Sequence, residues 1–110
     1  MNVIIENIFQ SASLTQVCFQ VDHGPENCLN PGKKTGEPGC PSTPAISKDE
    51  CVIIRATRDE TDIPSSNHFQ MGTSSDSYAL KLERTIAKEW ILKNTEGQTD
   101  VHVKMGPDGQ

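Results

Sequence analysis

Hydrophobic and polar positions alternate in several short runs along this chain. In residues 14–21, "LTQVCFQV", Val17, Phe19 and Val21 share one parity and Gln16, Cys18 and Gln20 the other. Side chains of an extended chain point alternately to opposite faces, so this run predicts a half-buried strand. The stretch "NVIIENIFQ" at 2–10 is strand-like through its Val, Ile and Phe content, and "SAS" closes it. A third strand is predicted at "CVIIRAT", 51–57, followed by the polar, acidic connection "RDETDIPSSN" and a short strand at "HFQM". The chain closes with a hairpin, "WILKN" and "TDVHVKM", turning near Gly97, with Val101, Val103 and Met105 opposite His102 and Lys104.

Residues 77–94 carry two patterns at once. Tyr78, Leu80, Leu82, Ile86, Trp90 and Leu92 fall on even positions; Lys81, Glu83, Thr85, Glu89 and Lys93 fall on odd ones. Only Arg84 and Lys88 break the apolar side. Ala79, Leu82, Glu83, Arg84, Ala87 and Lys88 are also good helix formers, and Ser75 or Asp76 is placed to cap a helix. A helical projection scatters charges through the apolar face, so the parity pattern favours strands. The predicted fold is all-β: a small antiparallel sandwich or open barrel of about six or seven strands. The alternative is an α+β domain with a helix near 77–89.

Residues 22–48 interrupt the pattern. Pro25, Pro31, Pro38, Pro41 and Pro44 alternate with Gly24, Gly32, Gly36 and Gly39, a composition that makes turns and extended chain rather than helix. A connection this long inside a small domain points to a binding loop or to disorder. Cys28 and Cys40 lie within it, and Cys18 and Cys51 flank it. Four cysteines clustered in this way read first as two disulfides. The expected pairs are Cys18–Cys51, joining neighbouring strands, and Cys28–Cys40, closing a ring inside the loop. Reduced structural thiols are the second reading. A zinc site is the third, and it lacks the short Cys-x2-Cys knuckle that such sites use.

At 110 residues, the chain suits one domain spanning 1–110, with 22–48 a stapled loop and 106–110 a frayed tail. Hydrophobic residues make up 34% and aromatic residues 5%, so the core is lean and a staple of about 3 kcal/mol matters to it. The net charge of −5 and the absence of any basic cluster longer than Lys33-Lys34 argue against nucleic acid and anionic membranes as partners. No apolar run reaches the length of a membrane span. The opening "MNVIIENIFQ" lacks a basic leader and its apolar residues are interrupted by Asn2, Glu6 and Asn7, so it does not read as a signal peptide. The expected location is extracellular if the disulfides form and cytoplasmic otherwise.

Catalytic signatures are missing. There is no nucleophile elbow, the loop glycines are separated by prolines that remove phosphate-binding N–H groups, and His23, His68 and His102 are scattered. His102 reads as a surface residue, and Trp90 and Tyr78 as core. Asp59, Glu60 and Asp62 form an acidic cluster without the spacing of a calcium loop. No cofactor and no metal are implied. The expected function is a non-catalytic binding module presenting its constrained loop to a protein or glycan partner. Asn27, Leu29, Asn30, Lys33, Lys34 and Glu37 are the candidate contacts. Alternatives are a structural or assembly subunit, such as a virion or appendage protein, and a metal-dependent enzyme using the 59–62 loop.

Overall fold

The computed structural model describes the backbone of residues 2–58, 61–62, 69–71, 80–84, 90–94 and 100–106, and the side chains of 2–58, 91–94 and 100–106. The chain is all-β. Its strands are β1 (Val3–Asn7), β2 (Gln16–Val21), β3 (Glu26–Leu29), β4 (Cys51–Arg58), β5 (Thr61–Asp62), β6 (Phe69–Met71), β7 (Leu80–Arg84), β8 (Trp90–Asn94) and β9 (Val101–Met105). One sheet runs β3-β2-β4-β8-β7, with β5 added against β4; the other runs β1-β9-β6. Among the described residues, no helix is long and apolar enough to cross a membrane.

The parity read from the sequence decides which side chains go inward. Val17 and Phe19 of β2, Val52, Ile54 and Ala56 of β4 and Leu92 of β8 are buried, as are Val3 and Ile5 of β1 and Val101, Val103 and Met105 of β9. All belong to one apolar cluster, completed by Phe9, Leu29 and Ile46. Each large aliphatic side chain buried in this way contributes about 1.5–3 kcal/mol. In the 77–94 stretch, 80–84 and 90–94 pair as antiparallel strands, Leu82 opposite Leu92, so alternation prevails over helix propensity there. The side chains of Tyr78 and Trp90 lie outside the described residues.

The antiparallel expectation needs two corrections. The closing hairpin expected from "WILKN" and "TDVHVKM" does not form: β8 pairs with β4 and β7 in the larger sheet, while β9 crosses into the smaller one. β1 pairs with β9 in parallel, Val3 opposite Val101 and Asn7 opposite Met105. The first and last strands of the core thus lie side by side, a pairing between distant segments that neither segment's composition encodes.

The 22–48 segment is also not a free surface loop. Its first part is β3, paired antiparallel with β2. Its remainder runs along the open edge of β1. The N–H of Val3 donates to the Pro44 carbonyl and that of Asn7 to the Lys33 carbonyl, both at 2.9 Å. The Ile5 N–H donates to Thr35 Oγ1 at 3.1 Å, while the N–H groups of Gly32 and Thr35 donate to the carbonyls of Asn7 and Ile5. An uncovered edge strand invites pairing with other chains, and here the Pro/Gly crossover covers it without itself becoming a strand. Gly32, Gly36 and Gly39 have φ of 82°, 88° and 80°, which lets the crossover turn repeatedly while it keeps those contacts.

Two buried asparagines fix the ends of this crossover. Asn7 Nδ2 donates to the carbonyls of Thr15 and Leu29 at 3.0 and 2.9 Å, and its Oδ1 accepts from the Phe9 N–H at 2.9 Å. Asn94 Nδ2 donates to the Ile46 carbonyl at 3.1 Å. Both side chains are fully buried; Asn7 ties β1 to the end of β3 and to Thr15, and Asn94 ties β8 to Ile46, which belongs to no strand.

Candidate functional site

The outer face of the larger sheet carries the most concentrated chemistry among the described residues. Because alternate residues of β2 and β4 are committed to the core, Gln16, Cys18, Arg55 and Thr57 point the other way. The register places Cys18 opposite Cys28 on one side and opposite Arg55 on the other. Glu26 lies two residues before Cys28 and so faces the same way. Arg55 reaches across β2 to Glu26 with a two-pronged contact, Nε to Oε2 at 2.8 Å and a terminal nitrogen to Oε1 at 2.7 Å. That hydrogen bond holds the Glu26 carboxyl below its ordinary value of 4.5, partly offset by burial and assisted by the guanidinium charge. With Leu14 at the rim, these residues line a shallow depression of about 480 Å³.

A disulfide joins Cys18 to Cys28, which corrects both expected pairings. The reason is register. Cys18 faces Arg55, and Cys51 lies four positions farther along β4, about 13 Å away at the usual rise per residue. Cys51 is held instead by Asp22: the Asp22 N–H donates to the Cys51 carbonyl and the Cys51 N–H donates to Asp22 Oδ1, both at 3.0 Å. Cys40 packs against the inner cluster, on the opposite side of the sheet from Cys28. Cys40 and Cys51 are half-buried free thiols.

The six expected contact residues do not form one patch. Leu29 is a core residue, 1% exposed, because its parity in β3 points it inward beside Val17; its place as a contact is withdrawn. Asn27 borders a second depression, of about 360 Å³, with Pro25, Pro41 and Pro44. Asn30 Oδ1 accepts from Gln16 Nε2 at 3.0 Å. Lys33 and Lys34 have exposed side chains on the ribbon that covers β1, and Glu37 is half-buried in the turn beyond them. His102, expected at the surface, is half-buried and in contact with Glu6 Oε1 at 2.8 Å. Asp59 and Glu60 and the side chain of Asp62 lie outside the described residues, so the acidic-loop reading has no geometry attached to it.

Sequence reading passed over Glu26, Arg55, Leu14 and Gln16. The available signal was the i, i+2 spacing of Glu26 and Cys28, meaningful only once 26–29 is known to be a strand. Neither protein-family models, curated proteins nor solved structures give a match to this chain.

Proposed function

We propose that this domain is a non-catalytic binding module that presents its crossover, residues 30–45, to a protein partner. One observation carries the reading: the main chain of the crossover is fixed to β1 by hydrogen bonds from Gly32 to Pro44, while the side chains of Asn30, Lys33 and Lys34 remain exposed. A segment already ordered before association loses less conformational entropy on binding. The adjacent lysines favour an acidic partner surface, which speeds encounter and sets orientation. A glycan partner is the weaker form of the reading, because sugar recognition leans on exposed aromatic faces and both aromatic side chains among the described residues, Phe9 and Phe19, are buried.

The test is photo-crosslinking from position 33 or 34, compared with position 93 of β8, which lies on the outer face of the larger sheet because its neighbour Leu92 points into the core. A protein captured from the crossover alone is then purified and titrated against wild type and the Lys33→Glu/Lys34→Glu variant. The reading requires a loss of at least about tenfold in affinity, as desolvated charge contacts give when reversed. Equal capture from both faces, or unchanged affinity in the variant, removes it.

A further inference from the structure

The same register that forms the Cys18–Cys28 disulfide places a carboxylate beside it. One donor atom from each of Cys18, Glu26 and Cys28 lies within 4.8 Å of the others. Donors gathered around one tetrahedral zinc ion sit about 3.5 Å apart, so small side-chain rotations close the set. We propose that, once a dithiol reductant opens the disulfide, Cys18, Cys28 and Glu26 bind one divalent cation of the zinc class, with solvent as the fourth ligand.

The charges balance. Two thiolates and one carboxylate, offset by the Arg55 guanidinium, leave a charge of −2 that one divalent ion neutralises. Arg55 has a second role, since its two-pronged hydrogen bond to Glu26 fixes the carboxylate from behind, as outer-shell partners of metal ligands do. A carboxylate has lone pairs enough to bond both the guanidinium and a metal. Thiolate donors favour zinc or cobalt over magnesium and calcium. The depression of about 480 Å³ that these residues line leaves room for a water ligand.

The redox step is a thiol–disulfide exchange. The dithiol gives two electrons and two protons to the Cys18–Cys28 bond and becomes a cyclic disulfide; the protein gains two thiols. Metal binding then displaces both thiol protons to solvent as two metal–sulfur bonds form. Disulfide and metal are mutually exclusive occupants of the same pair of sulfurs.

The experiment uses the full chain with Cys40→Ser and Cys51→Ser, so that the only thiols are those of Cys18 and Cys28. The protein is reduced with dithiothreitol, freed of it by anaerobic gel filtration, and titrated with cobalt(II). One equivalent of cobalt is expected to give thiolate-to-cobalt charge-transfer absorption together with the visible bands of a tetrahedral site, and zinc is expected to displace it. The oxidised protein is expected to give neither. Glu26→Gln is expected to weaken cobalt binding at least about tenfold; it also separates a folded site from a reduced, unfolded chain, whose two cysteines would bind without regard to Glu26. Absence of the charge-transfer band after reduction, its presence in the oxidised protein, or equal affinity in Glu26→Gln overturns the proposal.

Discussion

The side-chain amide of Asn7, on β1, donates to the main-chain carbonyl of Leu29, the last residue of β3, at 2.9 Å. This bond crosses from the smaller sheet to the larger one at a point where no strand ladder connects them. The same side chain holds the Thr15 carbonyl and the Phe9 N–H, so one buried residue sets the entry to β2, the end of β3 and the exit from β1. Asn7→Ala deletes all three bonds inside the core. The expected loss is about 3 kcal/mol, at roughly 1 kcal/mol or more for each buried group left without its partner. Urea unfolding measures it, and a change below about 1 kcal/mol would mean that water replaces the amide.

The edge of β1 gives a second expectation. Ile5 donates its N–H to Thr35 Oγ1, and Thr35 is 4% exposed. Thr35→Val preserves shape and removes the acceptor, which is expected to destabilise the fold by about 1–2 kcal/mol. Replacing residues 30–44 with a Gly-Ser linker is expected to do more: it strips the partners from the outer edge of β1, and aggregation should follow at concentrations where the wild type stays dispersed. Light scattering reads the second effect; a stable, dispersed linker variant would show that the crossover is an accessory loop.

The redox state of the cysteines is directly measurable. Alkylation under denaturing, non-reducing conditions is expected to label Cys40 and Cys51 and to spare Cys18 and Cys28; after reduction all should be labelled. The disulfide spans a sequence separation of 10, for which chain-entropy bookkeeping gives about 3 kcal/mol. Reduction should therefore lower the urea midpoint clearly. Labelling of Cys18 before reduction contradicts the pairing.

These results show which parts of the molecule local sequence encodes. Val17, Phe19 and Val21 announce β2 by parity, and Leu80 and Leu82 against Lys81 and Glu83 announce β7, because alternation reflects a single strand's own two faces. The cysteine partners depend instead on register between strands. Register is a property of pairs, and it set Cys18 against Cys28 and Arg55 rather than Cys51. β3 was hidden inside a segment whose Pro and Gly content reads as loop, so Leu29 passed for a contact and Glu26 was passed over. Asn7 and Asn94 gave no sign of their burial, since an amide inside a core is recognisable only when the carbonyls it satisfies are in view.

Acid dependence follows from the lowered pKa of Glu26. A carboxyl whose folded pKa lies below its unfolded one adds stability above the unfolded value and loses it as pH falls through the folded value. Glu26→Gln is therefore expected to be less stable than wild type near neutrality, with the gap closing from 4.5 downward. The side chains of Arg55 and Glu26 are 27% and 36% exposed, and solvent screening keeps such a pair to about 0.5 kcal/mol. Paired urea titrations at neutral pH and at about pH 3 test the sign. A gap that widens in acid would refute the assignment.

Leu14 supplies the last expectation. Its φ is 58°, in the left-handed region where a branched apolar side chain is strained by about 1 kcal/mol, and it is 72% exposed, so the strain is not offset by burial. Asparagine tolerates this backbone and needs no apolar surroundings. Leu14→Asn is expected to stabilise the isolated domain by about 0.5–1 kcal/mol. Strain retained at an exposed apolar residue beside the Arg55–Glu26 pair is accounted for if Leu14 is covered in an assembly. Static light scattering on wild type and Leu14→Asn over a concentration series separates the two roles. Concentration-dependent association that disappears in the variant favours the assembly reading of this protein over the binding module. A monomer in both, with the variant more stable, leaves Leu14 as a strained surface residue and the crossover as the surface to pursue.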